Sequence, residues 1–502
     1  MKTYVEVLLD TLGANADRTA LRYLNEDVTA GAFRASVYRY ARALQSLGIV
    51  RGDFVAMFAP NCPDALAIRY ATNLLGAATM FLPAIISAEH REAFVNRMRP
   101  TLLVDFPQTV SLVPARRASR VAHVGFGAAR LRLDIRARVQ SDVPMESRAL
   151  PDDLAVIVPS GGSTGVPKAS RRSFAVHTAM VSVPSRADRR QLVNGALAYL
   201  SQVLVDNTLM GGGTVVLKPS YDAADTLATI EAERITDVLL VEPQLFETMD
   251  HADVQHRDLS SLRSIAHIGG SAPAILRRRA IARLGPVLTH MYGASEAGLV
   301  SVLSPSDYAA DASLLDSAGR VRPGVDVRFR RPDGTFARTG EHGLIEVRSA
   351  AMAQGYYRQP IESTQKFRGG WCLTGDIGFI DEKINLHVLG RAADVAEFDG
   401  KAFGPAQIES PLCALPYVRY ARAVSTGDAA SRYKWNVIVV PWASMPIDIG
   451  DCMRVLEAAY GAKVANAVRI VATQRVPLTE QGKVDRAGIG RMFEGEAERR
   501  AA

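Results

Sequence analysis

Short, continuous apolar bursts separated by amphipathic stretches run through most of this chain, and that texture leaves few folds open. FVAMFA, TLLVDF, LAVIVP, TVVLKP, DVLLVE and RSIAHIG are apolar without alternation, which predicts strands buried on both faces. SVYRYARALQSLG, CPDALAIRYATNLLG and DTLATIEAERI lie between such bursts and predict helices. Strands alternating with helices predict α/β construction on mixed, largely parallel sheets. From Val325 the texture changes. VDVRFRRPDGTFARTGEHGLIEVRS alternates in short strands with turn signals at Asp333-Gly334 and Glu341-His342-Gly343, predicting a small antiparallel β subdomain. After Arg391, RYARAVST, WNVIVVPW, GDCMRVLEAAYG and VRIVAT form a block long enough for a small α+β domain of its own. The expected division is a large N-terminal domain over 1–393 and a small C-terminal one over 394–502.

At 502 residues, 48% hydrophobic and 22% charged, the chain suits a large protein of more than one domain. Its longest apolar run, ALAIRYATNLLGAATMFLPAII, is interrupted by Arg69 and Asn73, so no membrane span is expected. MKTYVEVLLDTLGANADR carries Glu6 and Asp10 inside its apolar part and does not read as a secretory signal. Cys62, Cys372, Cys413 and Cys452 are too scattered for a disulfide framework or a zinc pattern. These features point to a cytoplasmic protein. The formal charge of +7 comes with arginine clusters at ARRASRVAHVGFGAARLRLDIRARV and at Arg277, Arg278 and Arg279. They fit either a surface for an anionic partner or a solvated arginine-rich face. Without interleaved aromatics or a binding module, no nucleic-acid partner is expected.

One stretch announces chemistry. After LAVIVP comes SGGSTGVPK: Ser160, Gly161, Gly162, Ser163, Thr164, Gly165, Val166, Pro167 and Lys168. A P-loop NTPase needs Gly-Lys-[Ser/Thr] opening a helix. Pro167 stands where that glycine should be, Ala169 follows the lysine, and proline biases Val166 away from helical angles. The NTPase reading fails. What remains is either an ordinary glycine/serine turn or an anion-binding loop in which backbone N–H groups, hydroxyls and Lys168 meet phosphate.

Four further stretches decide between those two. HIGGSAP (267–273), MYGASEAG (291–298), LTGDIGF with LGRAADV (373–379 and 389–395) and PLTEQGKVDR (477–486) follow in order. With SGGSTGVPK they resemble the adenylate-forming superfamily of acyl- and aryl-CoA ligases, peptide-synthetase adenylation domains and luciferases. The resemblance runs from about Leu47 to about Arg486. It implies ATP-dependent attack of a carboxylate on the α-phosphate, giving an acyl-adenylate and pyrophosphate, then transfer of the acyl group to a thiol. The protein's task in such a reaction is positioning and charge stabilisation.

The resemblance also implies roles. Ser160 to Gly165 and Lys168 would wrap the β- and γ-phosphates. The Gly270-Ser271-Ala272 backbone would border adenine, with the Tyr292 ring laid on the base and Gly293 in the same strip. Ser295 would contact phosphate, and Glu296 would ligate Mg²⁺, a hard cation that favours carboxylate and phosphate oxygens. Asp376 would accept from both ribose hydroxyls, and Arg391 would hold the ribose or phosphate side. Asp394 falls at the hinge about which the small domain swings. Lys483 is the expected catalytic residue, bridging the substrate carboxylate and the α-phosphate.

Two departures bear on substrate and acceptor. Counting back without gaps from GGTVVL puts Tyr199 where amino-acid-activating relatives carry an aspartate, and no histidine lies between Asn194 and Pro219. An acid with an apolar or aromatic body is therefore favoured over an α-amino acid; Asp206 is the one nearby carboxylate that a gap could bring into play. In EFDGKAFGPAQIE, Gly400 marks the thiol-acceptor loop, with Pro405 and Glu409 also matching, but Asp399 stands where many CoA ligases carry lysine. The expected acceptor is coenzyme A. The rival is the phosphopantetheine of a carrier protein, and a third reading is a catalytically silent nucleotide-binding scaffold.

Overall fold

The computed structural model describes residues 2–501 apart from 86, 118, 128–130, 160–166, 269–271, 428–430, 443–444 and 479–483, with backbone alone for 495–501. Two large sheets share a layer of helices. One has six strands in the order Arg120–His123, Leu102–Asp105, Phe54–Met57, Ala78–Phe81, Leu154–Pro159 and Ala169–Ser173. Its strands run parallel except the last, which folds back on Leu154–Pro159. The other has nine strands. Those from Leu288–Ala294 through Ser264–Ile268, Asp237–Val241, Arg190–Val193 and Thr214–Leu217 to Thr19–Tyr23 are parallel. Antiparallel strands close both edges.

Why the bursts are continuous is visible in the strand Phe54–Met57. Val55 and Met57 face the helices between the sheets, while Phe54 and Ala56 face the opposite side, onto Phe94 and Met98. Both faces are covered, so both must be apolar. The intervening helices include Tyr4–Ala14, Ala30–Ser46, Pro63–Leu74 and Tyr199–Met210. Arg69 and Asn73 on Pro63–Leu74, the residues that break the apolar run, are wholly buried here. Asn73 donates to the carbonyls of Ala77 and Ala155 at 2.8 and 3.0 Å. Among the described residues no helix is long and apolar enough to cross a membrane.

The antiparallel part forms as its alternation predicts. Val325–Arg330 pairs with Gly343–Ser349, which pairs with Trp371–Ile380, and Leu386–Arg391 extends that strand's other part. After the short turn Ala392–Asp394 come the hairpin Ala396–Phe398/Lys401–Phe403 and the helix Pro405–Cys413. A three-stranded sheet of Val418–Ser425, Trp435–Pro441 and Val468–Ala472 follows. This tail meets the front of the chain through polar contacts. Arg422 Nη1 and Tyr420 Oη donate to Glu242 Oε1 at 2.9 and 3.0 Å. The buried Asp250 carboxylate faces Arg283 at 3.0 Å and Arg419 at 3.2 Å. A cavity of about 740 Å³ opens in this seam, with Phe246 and Asp250 on one side and Tyr420, Val476 and Leu478 on the other.

Candidate active site

Parallel sheets gather ligand-binding groups beyond the carboxyl ends of their strands, and the motif residues collect at one such end. Strand Leu288–Ala294 delivers Tyr292 and Gly293, with an irregularity in pairing between them. A Cβ on Gly293 would sit 2.5 Å from the carbonyl oxygen of Gly298, so only glycine allows the return strand to approach this closely. Strand Trp371–Ile380 places Asp376 directly across from Arg391. Tyr292 Oη donates to Asp376 Oδ2 at 2.7 Å, and Arg391 Nε lies 3.2 Å from Oδ1. Burial pushes the Asp376 carboxyl above its usual range, while Arg391 and the Tyr292 hydroxyl act to keep it charged. Tyr292, Asp376 and Arg391, far apart in sequence, form one connected group.

Glu296 is the second carboxylate of the site and is mostly buried. Tyr356 Oη donates to its Oε1 at 2.7 Å and Ser295 Oγ to its Oε2 at 2.9 Å. Burial works against its charge, but the nearby Lys366 ammonium and these two hydroxyls outweigh it and hold the carboxyl below its usual range. Lys366 Nζ and Arg391 Nη1 both donate to the carbonyl of Thr374, each at 2.9 Å. Lys168 Nζ lies 5.5 Å from the centre of the Tyr356 ring. Tyr356 therefore links the lysine of the glycine-rich motif to Glu296. The Ser295 carbonyl is pinned from the strand Ala169–Ser173 by Ser170 Oγ at 3.1 Å and Arg172 Nη2 at 2.6 Å.

The structure thus brings together Lys168, Tyr292, Gly293, Ser295, Glu296, Asp376 and Arg391. Ala272, from the GGSAP stretch, is buried. Ser160 to Gly165, Gly270, Ser271 and Lys483 lie outside the described residues. Asp394 is buried, with its carbonyl accepting from Trp435 Nε1 at 2.8 Å and its carboxylate paired with Arg486. Gly400 has φ +76° at the turn of the hairpin Ala396–Phe403, and Asp399 beside it forms an exposed pair with Lys463 at 2.6 Å. Tyr199 opens the helix Tyr199–Met210, its hydroxyl 3.3 Å from Met180 Sδ and its ring under the Arg172 guanidinium at 4.4 Å.

Asp206 is held elsewhere. It is fully buried, accepting from Arg69 Nη1 and Nη2 at 2.5 and 2.7 Å, from Tyr70 Oη at 2.6 Å and from His177 Nε2 at 2.8 Å. Those four donors leave no place for a substrate amine. Tyr356, Lys366 and Arg172 are site residues that local sequence reading passes over. None sits in a glycine-rich or acidic signature; each reaches the site across a strand pairing or a helix end.

Among the described residues no cluster of three or more His, Cys, Asp or Glu side chains could hold a metal ion. A lone oriented carboxylate such as Glu296 suits Mg²⁺ that takes its other ligands from phosphates and water. If Asp376 holds the ribose as the resemblance implies, Asp376→Ala should weaken ATP binding by about 1.5–3 kcal/mol, the cost of removing a charged hydrogen-bond acceptor. Titration calorimetry with ATP checks this; unchanged affinity with a collapsed melting transition would assign Asp376 to the fold instead.

A mixed α/β chain whose motif residues meet at a strand end, backed by a small C-terminal sheet, defines the class: residues 10–357 match the AMP-binding enzyme model, and the chain belongs to that family. It is an AMP-forming acid–thiol ligase. It is 29% identical over 485 residues to the feruloyl-CoA synthase of an Amycolatopsis species, covering 95% of this chain and 96% of that protein. Similarity to the indoleacetate–CoA ligase of Aromatoleum aromaticum is 29% over 489 residues, 94% of each. Among solved structures, the amide bond synthetase McbA of Marinactinospora thermotolerans superposes with a TM-score of 0.87 at 28% identity, over 98% of this chain and 99% of that one.

Proposed function

We propose that this enzyme activates a carboxylic acid with an aromatic or apolar body, using ATP and Mg²⁺, and passes the acyl group to coenzyme A. The observation that carries the reading is the pair of buried carboxylates, Glu296 and Asp376, both within the electrostatic reach of Lys366. One is held in its charged form where a metal–phosphate group would sit. The other, held by Tyr292 on one oxygen and Arg391 on the other, keeps lone pairs that could accept from ribose hydroxyls.

In the first step a carboxylate oxygen forms a bond to the α-phosphorus, the bond to the bridging oxygen breaks, and pyrophosphate leaves with the electron pair. Glu296 would hold Mg²⁺, which offsets phosphate charge. Lys168 and the residues of 160–165 would hold the β- and γ-phosphates, and Lys483 would bridge the two reacting groups. In the second step the thiol sulfur attacks the acyl carbon, loses its proton and displaces AMP. Rotation of 394–502 about Asp394 would exchange Lys483 for the loop at Gly400. The engagement of Asp206 by Arg69, and the aromatic ring at Tyr199, support an acid without an α-amine. The Lys463 pair beside Asp399 offsets the carboxylate's repulsion of an incoming phosphate.

The test is a panel of carboxylic acids in ATP–pyrophosphate exchange, followed by acceptor competition. The best acid is incubated with enzyme, ATP and, in separate reactions, CoA, holo-carrier proteins or a primary amine, and the products are weighed by mass spectrometry. Acyl-CoA is the expected product. Acylated carrier or amide accumulating while acyl-CoA is absent would replace the acceptor; no exchange with any acid would remove the function altogether.

A further inference from the structure

We propose that Tyr356 is a positioning residue for the first half-reaction: its hydroxyl sets the orientation of Glu296, so that Mg²⁺ held there is in register with phosphates held by the glycine-rich motif. This rests on the acid-activating reading above, with Glu296 as the metal ligand, and the experiment lets the two fail separately.

Glu296 differs from the other buried acids of this protein. Among the described residues, every other buried aspartate or glutamate lies against an arginine or histidine nitrogen, as Asp206 does with Arg69, Glu242 with Arg422 and Glu346 with Arg330. Glu296 is held instead by two neutral hydroxyls, Tyr356 Oη on Oε1 at 2.7 Å and Ser295 Oγ on Oε2 at 2.9 Å. Lys366 acts on its charge only from beyond ion-pair distance. A buried carboxylate without a cation is costly. Hydroxyls orient such a group without neutralising it, and each carboxylate oxygen keeps a further lone pair. The side chain is aimed and still short of positive charge, which suits a hard cation.

The two hydroxyls do different work. Ser295 is the neighbour of Glu296 in the chain and moves with it. Tyr356 comes from elsewhere, and its backbone is stitched to the strand that leaves the glycine-rich motif. Tyr357 N donates to the Ala169 carbonyl at 2.7 Å, Arg171 N donates to the Gly355 carbonyl at 3.0 Å, and Ser170 forms an antiparallel bridge with Tyr356. At the start of the same short segment, Ala353 N donates to the Glu296 carbonyl at 2.8 Å. Residues 353–357 therefore strap the turn that carries Glu296 to the strand that Lys168 precedes.

The Tyr356 ring completes the strap. It packs edge-on against Phe367 at 5.8 Å and lies 5.5 Å from Lys168 Nζ. A tyrosine has only two side-chain torsions, so with its backbone fixed it is a short, stiff spacer. Its hydroxyl passes the position of the phosphate-side strand on to the carboxylate. Partners of this outer kind typically change metal affinity or activity by about 10- to 100-fold when removed.

Tyr356→Phe removes one oxygen and keeps the ring, its packing and the backbone strap. ATP affinity is measured by titration calorimetry on wild type, Tyr356→Phe and Glu296→Gln, each in EDTA and again in excess Mg²⁺. The quantity read is the gain in affinity that Mg²⁺ brings within one preparation. Wild type should show a gain, and Glu296→Gln should lose most of it. Tyr356→Phe should lose about 10-fold of it, with its affinity in EDTA close to that of wild type. In pyrophosphate exchange, the Mg²⁺ concentration for half-maximal rate should rise in Tyr356→Phe by a similar factor while the KM of the acid stays put. A Tyr356→Phe protein that melts earlier yet keeps the wild-type gain would overturn the proposal and leave the hydroxyl as a support of the fold. The full gain retained in Glu296→Gln would instead remove Glu296 as the metal ligand, and the positioning role with it.

Discussion

Lys483→Ala should abolish acid-dependent pyrophosphate exchange, with a loss of about 10²–10³-fold or more, as expected for removing a charged group aimed at a developing transition state. The same variant should convert a supplied acyl-adenylate to its thioester at close to the wild-type rate, because in the proposed cycle Lys483 has left the site when the thiol displaces AMP. The residues flanking Lys483 are anchored. Leu478 and Val484 pair as an antiparallel bridge, Asp485 N donates to the Pro477 carbonyl at 2.8 Å, and Arg486 is paired with Asp394. The segment that carries the lysine is thus tied at one end to the residue expected to act as hinge. Exchange assays and single-turnover thioester formation on the same protein separate the two half-reactions. Exchange at the wild-type rate would remove Lys483 from the mechanism, and equal loss of both steps would point to a general structural role.

Asp206→Ala should destabilise the fold by about 3–5 kcal/mol, a cost typical of leaving one member of a buried ion pair without its partner. Asp206 and Arg69 are both inaccessible to water. Burial raises the Asp206 pKa, but Arg69 and the His177 contact overcome it and bring the group down to about 2. His177 is itself held below its usual value by burial, so it is neutral near pH 7 and donates Nε2–H. Because the folded-state pKa is depressed, the stabilisation from Asp206 is present above its unfolded value near 4 and is lost as pH falls toward 2. Urea unfolding of Asp206→Ala against wild type measures the loss at neutral pH. Unchanged stability accompanied by altered acid preference would move Asp206 from the core to the substrate pocket.

Much of the fold was legible in the chain because its signals are local. A strand covered on both faces must be apolar throughout, so FVAMFA and LAVIVP declare themselves as Phe54–Met57 and Leu154–Pro159. Turn glycines are equally local: Gly334 adopts φ +87° where a turn was expected. Tyr292, Glu296 and Asp376, candidates that the structure gathers in one place, could be singled out for a related reason. Each sits in a short motif whose neighbours the site geometry restricts, as Gly293 is restricted by the returning strand.

Partnership is where local reading stops. Nothing near Asp206 in sequence says that Arg69, on another helix, will take both its oxygens, or that a residue at a possible substrate position is buried in a core. Tyr356 reaches Glu296, and Arg172 reaches Ser295 and Tyr199, only because the strands and helices that carry them are brought together by the two sheets. The amino acids alone determined the elements, the family's motifs and the nucleotide chemistry, all set by interactions within a few residues. The tertiary structure decided which charges are neutralised internally and which distant residues meet at the site, because burial and electrostatics depend on neighbours in space.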